Sequence, residues 1–327
     1  MKAIIRTKGG KHFSGMKVMN IKPAPLNENQ IRVKMTSSRI NPVDHDLMSG
    51  MPFLKYKKLQ IGGIDGAGRV IELGSGVNNF QVGDAVFFYR KFNDIGAWAE
   101  EIVVNAVDVA NVPANISVED AGSIALPLLT AYDALQQLGA QKGERILIHG
   151  AGGGVGFQAV QLAKQMGLHV ITNSSKRDFG KLEALGVDQR IDYKTQAFEA
   201  ELRKDGVDYI FDVIGKDTLL KSIALQPKKV ISVAYAETEK MHKTGLQFPG
   251  IIRFVLKLSM RKFRKAAQRQ QVELIGQVTG ADGALLQQAS DRISQMNYVV
   301  NPYQSLNLQA IEQNGLSKTD VGKVILF

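Results

Sequence analysis

The chain has 327 residues, with 41 Lys and Arg against 31 Asp and Glu, a formal net charge of +10, and no cysteine. That length accommodates two domains with cores of their own. The missing thiols exclude disulfides, thiol nucleophiles and cysteine-held zinc, and fit a reducing compartment. Met1-Lys2-Ala3-Ile4-Ile5-Arg6 meets charge too early for a signal peptide, and no apolar run is long enough to span a bilayer. A cytoplasmic location is therefore expected.

Residues 1 to about 111 read as β-rich. Ile31-Arg32-Val33-Lys34-Met35 alternates like a half-buried strand, after loop signals at Pro23, Pro25 and Asn27-Glu28-Asn29. Further strands are predicted over 66–74, over 82–88 behind a Gly83-Asp84 turn, and over 96–104. Several short strands at close spacing suggest a small barrel. Ser117 reads as a helix cap with Asp120 three residues on, and 121–138 as a buried helix interrupted near Pro127.

From there strands and helices alternate, which predicts a doubly wound parallel sheet. Its anchor is Gly150-Ala151-Gly152-Gly153-Gly154-Val155-Gly156, between the apolar run 145–149 and a helical pattern that stops at Gly167. Gly150, Gly153 and Gly156 follow G-x-x-G-x-x-G spacing. Glycines let a backbone turn sharply against a pyrophosphate, and the following helix N-terminus offers free N–H groups. A ligand-free glycine turn is the alternative. The next strand, 168–172, leads into Asn173-Ser174-Ser175-Lys176-Arg177, where an NAD site would carry a carboxylate for the ribose 2′-OH. Hydroxyls and cations suit a 2′-phosphate, so NADPH is expected; the alternative is that Lys176 and Arg177 merely begin a solvated helix. Further strands are predicted over 189–193, 207–215 and 228–234. Ligands of such sheets bind beyond the carboxyl ends of the strands, which places Gly150 onward, Asn173 to Arg177, Tyr193, Val213-Ile214-Gly215 and Val233-Ala234 near the ligand.

Seven of the surplus cations sit together: Arg253, Lys257, Arg261, Lys262, Arg264, Lys265 and Arg269, with no acid from Ile251 to Gln270. Three readings stand for 251–270: a surface helix over the active-site cleft or at a dimer contact, an interfacial helix making peripheral membrane contact on anionic lipid, and a nucleic-acid footprint. Sparse aromatic interleaving disfavours the last, so a nucleic-acid partner is not expected.

Several segments together carry a resemblance: Arg39-Ile40-Asn41-Pro42-Val43-Asp44, Gly63-Ile64-Asp65-Gly66-Ala67-Gly68-Arg69-Val70, Phe80-Gln81-Val82-Gly83-Asp84-Ala85-Val86, Ala125-Leu126-Pro127-Leu128-Leu129-Thr130-Ala131-Tyr132, the glycine loop, Ile191-Asp192-Tyr193, and Val321-Gly322-Lys323-Val324-Ile325-Leu326. In this order they resemble a zinc-independent member of the medium-chain dehydrogenase/reductase superfamily, close to the quinone oxidoreductases. The resemblance implies an α/β fold, a Rossmann doubly wound parallel sheet (121–294) plus a GroES-like β-barrel domain (1–120 and 295–327), usually as a homodimer. It implies that Asn41 organises the site beside the nicotinamide and that Thr130 contacts the nicotinamide end. Gly153, Gly154 and Val155 would line the pyrophosphate. Ser174, Ser175, Lys176, Arg177 and Tyr193 would surround the adenine ribose phosphate, with Lys323 near the cofactor.

Departures from the family pattern are also present. His45-Asp46 stands without cysteines, Asp46 and Pro52-Phe53 replace the tyrosines of some relatives, and Lys228-Lys229 replaces a glycine pair. Hydride transfer to an enone or quinone needs no nucleophilic side chain; Tyr56 and Tyr89 are conceivable proton donors, with packing as the alternative. The expected activity is NADPH-dependent, zinc-free reduction of a quinone or α,β-unsaturated carbonyl. The alternatives are a carbonyl or secondary alcohol oxidoreductase, and a non-catalytic NADPH-binding redox sensor or membrane- or RNA-associated protein.

Overall fold

The computed structural model describes residues 1–8, 11–49, 60–92, 94, 96–245 and 248–327, with Lys11 as backbone only. Pro52, Phe53 and Tyr56, considered above, lie outside the described residues. The chain packs as two units: Met1–Leu126 with Lys243–Leu246 and Gly280–Phe327, and Pro127–His242 with Gln247–Thr279.

The first unit opens with β1 (Lys2–Arg6), β2 (Met16–Asn20), β3 (Gln30–Arg39), α1 (Pro42–Ser49), β4 (Gln60–Ile61), β5 (Asp65–Leu73), β6 (Ala85–Tyr89), β7 (Glu101–Asn105) and β8 (Val109–Asn111). β1 lies between β2 and β4, all antiparallel. β3 is the hub of the larger sheet, pairing with β5 on one side and β7 on the other. Its alternation is realised: Ile31, Val33 and Met35 are buried. The strand expected over 96–104 begins only at Glu101. Ahead of it, fully buried Trp98 lies against Gly62 and Gly63. Gly63 has φ +79, and a methyl there would overlap the indole ring, so both backbone and space require glycine.

α2 (Val118–Ala121) is capped as expected, the Asp120 N–H donating to Ser117 Oγ at 3.0 Å. The interruption expected near Pro127 falls earlier, at Gly122–Ile124, and α3 (Ala125–Leu138) runs through Pro127. The proline occupies the first helical turn, where no intrahelical N–H bond is lost.

The second unit contains β9 (Arg145–His149), α4 (Gly154–Gln165), β10 (His169–Ser174), α5 (Phe179–Ala184), β11 (Gln189–Asp192), α6 (Phe198–Glu201), β12 (Tyr209–Asp212), α7 (Lys216–Ala224), β13 (Lys229–Ser232), α8 (Gly250–Ser259), α9 (Arg261–Gln270) and β14 (Glu273–Gly276). The six strands are parallel in the order β11-β10-β9-β12-β13-β14. Helices on the faces of a parallel sheet bury its strands, and the apolar residues of β9, β10 and β12 are accordingly inaccessible. Gly167, φ +76, ends α4 as expected. Strand order reverses around β9, so the crevice for a ligand opens at the carboxyl ends there. Lys228 lies at the opposite, amino-terminal side, in ion pairs with Glu144 and, at 3.0 Å, Asp208. The lysine pair that departs from the family pattern therefore ties strand starts together.

The chain returns to the first unit before residue 295, the boundary read from the sequence. The cause is α10 (Gly283–Ser294), which docks on β8: the Asn111 N–H donates to Gln287 Oε1 at 2.8 Å, and Ser290 Oγ donates to the Asn111 carbonyl at 2.8 Å. β15 (Ser305–Asn307), α11 (Leu308–Asn314) and β16 (Val324–Leu326) follow, β16 antiparallel to β3. Among the described residues no helix is long and apolar enough to cross a membrane.

Candidate functional site

The glycine loop turns at Gly150, φ +66. Its N–H donates to the Asn173 carbonyl, and its own carbonyl accepts from the Gly153 N–H, both at 3.0 Å. These bonds fold the loop back between β9 and β10 and make Gly153 the N-cap of α4, with Gly154 and Val155 as the first helical residues. A side chain at Gly156 would overlap the Gly150 carbonyl oxygen, and one at Gly152 would overlap the Asp178 carboxylate. The glycines thus bring helix, loop and neighbouring strand into closer contact than any other residue permits.

Above this loop, wholly within the second unit, is a cavity of about 580 Å³. Of the expected residues, Gly150, Gly153, Ser174, Ser175, Arg177 and Tyr193 line it. Gly154, Val155, Gly156 and Lys176 do not; the first three open α4 directly after Gly153. Two polar side chains on the wall are unsatisfied. Ser174, 3 % exposed, has no hydrogen-bond partner for Oγ, and buried Asn173 has none for Oδ1. Burying a hydroxyl and an amide oxygen without partners is costly, so a polar ligand suits this wall. The Asn173 amide is fixed from behind: Nδ2 donates to Nδ1 of buried His149 at 3.1 Å, and His149 Nε2 meets Ser222 Oγ at 2.9 Å. Burial depresses the imidazole pKa to about 4 against the opposing pull of Asp212 and Glu199, so His149 is neutral near pH 7 and Nδ1 accepts.

Charge on the wall is mixed. Arg177 is exposed, 3.7 Å from Asp178, whose carboxylate is held by Lys181 at 3.1 Å. Lys181 also donates to the Gly152 carbonyl at 2.8 Å, locking the acid to the loop. Lys221 pairs with Glu199 at 2.7 Å. At the end of β12 the Asp212 carboxylate accepts the N–H groups of Ile214 and Gly215 at 3.0 Å, setting the turn that brings exposed Ile214 to the cavity. Of the Val213-Ile214-Gly215 run expected there, Ile214 lines the cavity, while Val213 lies against Gly150 and is not part of the wall. Val233 is exposed at the end of β13 but is not part of the wall. Thr130 is buried in the same unit, its Oγ1 accepting from Thr279 Oγ1 at 3.0 Å.

In the first unit, Asn41 is buried with its amide Nδ2 donating to Asp65 Oδ1 at 2.8 Å, while its backbone N–H donates to Asp44 Oδ2 at 2.7 Å. The Leu126 N–H donates to the other Asp65 oxygen at 3.1 Å. Burial raises the Asp65 pKa to about 7 despite these bonds and Arg39, and burial with the Asp65 charge holds Asp44 well above the carboxylate range. Lys323 is engaged by Asp320 at 2.8 Å. His45 Nδ1 pairs with Asp46 Oδ1 at 3.2 Å, and His45 Nε2 meets His12 Nδ1 at 2.7 Å, a contact with no local sequence signal. Tyr89 is buried beside Phe92, and burial pushes its pKa upward, as a packed residue requires.

Sequence reasoning missed Asp178, Glu199 and Lys221 as wall residues, and Lys181 as the cation that holds Asp178. Asp178 directly follows Arg177 and was within reach of a local reading; the others arrive from helices and turns whose approach only the sheet order sets. Asp65 and Asp44 lay inside quoted motifs, but nothing local shows that they share one buried cluster.

A parallel sheet ordered in this way, with a glycine turn at its switch point, defines a Rossmann-type dinucleotide-binding architecture. The model described as alcohol dehydrogenase GroES-like domain matches residues 27–114, and that of zinc-binding dehydrogenase matches 154–237. The chain is 32% identical over 272 residues to the 2-haloacrylate reductase of Burkholderia sp, covering 80% of this chain and 78% of that protein. It is 33% identical over 208 residues to the chloroplast envelope quinone oxidoreductase homolog of Arabidopsis thaliana, covering 61% of this chain and 63% of that one. Of the much longer polyketide synthase GfsB of Streptomyces halstedii it spans 4%, at 31% identity over 70% of this chain. Among solved structures, the quinone oxidoreductase from Coxiella burnetii superimposes with TM-score 0.82 at 27% identity, covering 100% of this chain and 99% of that one. Escherichia coli quinone oxidoreductase complexed with NADPH has the same fold, with TM-score 0.77, 22% identity and full coverage of both chains. The chain belongs to the medium-chain dehydrogenase/reductase superfamily and is quinone oxidoreductase-like.

Proposed function

We propose that this protein is an NADPH-dependent reductase that transfers hydride to a quinone or an α,β-unsaturated carbonyl without zinc. The observation that carries the cofactor reading is the buried, unpartnered Ser174 Oγ at the end of β10, where an NAD site would hold a carboxylate. A ribose phosphate would satisfy that hydroxyl and the Asn173 amide, with Arg177 as the nearby cation. The Gly150–Gly153 backbone would take the pyrophosphate. Once bound, the nicotinamide supplies the hydride. The chain's part is to hold the nucleotide and orient it, which needs no nucleophilic side chain. The acceptor, reduced to an enolate or hydroquinone anion, takes its proton from solvent or a nearby hydroxyl.

The relatives, a haloacrylate reductase and a quinone oxidoreductase homolog, support activated alkenes and quinones as acceptors. The absence of cysteine disfavours the carbonyl reading, whose usual metal polarises the substrate oxygen. The test is oxidation of NADPH and of NADH with 1,4-benzoquinone, a linear enone, a 2-haloacrylate and a simple ketone, with chelator present. Turnover with NADPH and one of the first three is expected. Preference for NADH, loss of turnover with chelator, or turnover of the ketone alone would overturn it.

A further inference from the structure

α8 is a helix without a core. None of its ten residues is buried. Ile251, Phe254, Val255 and Leu258 are 69, 63, 53 and 55% exposed. Their spacing, i, i+3, i+4 and i+7, aligns them in one stripe about 100° wide, the pattern that ordinarily faces a core. Ile252 and Leu256 point elsewhere and are partly buried. α9 follows after Met260 and is anchored: Phe263 and Ala267 are buried in the cluster that includes Tyr235, Leu219 and Val272. The outer surface of α9 carries Arg261, Lys262, Arg264, Lys265 and Arg269, all exposed. With Arg253 and Lys257 these make seven cations. Among the described residues only Lys257 forms an ion pair, with Glu239 at 2.6 Å.

We infer that α8 and α9 form a docking surface for an anionic phospholipid bilayer, with α8 lying in the interface. Two demands select this occupant. The apolar stripe needs a partner that removes it from water, and the cations need a partner of opposite charge. A second copy of the chain on the same patch would set seven cations against seven. A nucleic acid would satisfy the charges but leave Ile251, Phe254, Val255 and Leu258 in water. A bilayer with acidic headgroups satisfies both, the apolar side chains entering the acyl boundary while Arg and Lys stay among the phosphates. The inference is independent of the reductase reading and of the nucleotide cavity.

The experiment is co-sedimentation of the full chain with phosphatidylcholine vesicles, with and without phosphatidylglycerol. Binding to the acidic vesicles is expected, weaker by at least about tenfold on neutral ones and falling as salt rises. F254S/L258S, which keeps every charge, should bind about tenfold more weakly. R261Q/K262Q/R264Q/K265Q, which keeps the stripe, should lose about a hundredfold or more. All six substituted positions are exposed, so unchanged melting curves serve as the folding control. Insertion is read separately with F254W, because the chain has a single tryptophan, Trp98, which is fully buried. A blue shift of the added indole on acidic vesicles is expected. Equal binding by F254S/L258S, or no shift from F254W, would reduce the contact to charge adsorption and overturn the inference. So would failure to bind acidic vesicles, whether F254S/L258S turns out to dissociate a dimer or the patch binds RNA instead.

Discussion

The proposed choice of NADPH over NADH rests on single side chains of the cavity wall. Ser174 presents a buried hydroxyl without a partner, and a carboxylate in its place would repel a 2′-phosphate while accepting a 2′-OH. Ser174→Asp is expected to lower kcat/KM for NADPH by about tenfold or more relative to NADH, a loss of roughly 1.4 kcal/mol in transition-state stabilisation. Steady-state kinetics with both nucleotides test this, and an unchanged ratio would remove Ser174 from the specificity set. Asp65 gives a second prediction, on stability. Its folded pKa, about 7, lies above the unfolded value of about 3.9, so the folded state keeps a proton that the unfolded state releases. Its contribution is therefore present in full below about pH 4 and lost as pH rises to about 7. Relative to Asp65→Asn, the natural chain should lose roughly 2–4 kcal/mol across that window. Comparing the two chains matters, because buried His149, with its depressed pKa, has the opposite trend, losing stability as pH falls from about 6.5 toward about 4. Urea midpoints that run parallel for the two chains would show that Asp65 ionises normally.

At the scale of elements, the packing of α4 against the end of β9 depends on Gly156. Its missing side chain admits the Gly150 carbonyl. Gly156→Val is expected to destabilise the second unit by at least about 2 kcal/mol and to weaken nucleotide binding, because the overlap is with backbone that cannot swing away. Thermal melting with and without NADPH measures both effects. α3 makes the complementary point. Pro127 looks like a helix breaker in isolation and is tolerated because it falls in the first turn, so the position of the break at Gly122–Ile124 belongs to the capping of α2 and not to the proline.

The molecule as a whole consists of two units with separate cores, and its net charge of +10 is concentrated on one helix pair. NADPH at a hundredfold excess over Kd should stabilise the folded state by about 2.7 kcal/mol. Hydrogen exchange should then slow at 150–156 and 173–178, where loop and strand end enclose the cavity. Stabilisation without protection there would mean that the nucleotide binds at another place. With the charge gathered on α8 and α9, salt should weaken acidic-surface binding while leaving the ion pairs of the 580 Å³ cavity, which are short and partly buried, much less affected.

The sequence by itself determined the glycine turn, the Ser117 cap, the alternation of β3 and the succession of strands and helices in the second half, because each is written within a few residues of itself. It also marked Ser174, Arg177 and Tyr193, which stand next to strand ends in the chain. Tertiary structure decided the rest. Asn41 meets Asp65 from 24 residues away, and His149 meets Asn173 from the same distance. Lys221 and Glu199 reach the cavity from separate helices, and α10 leaves the sheet to join β8. The exposure of α8 is of this kind too. Its amphipathic pattern reads like that of any packed helix, and only the folded chain reveals that no core was built beneath its apolar stripe.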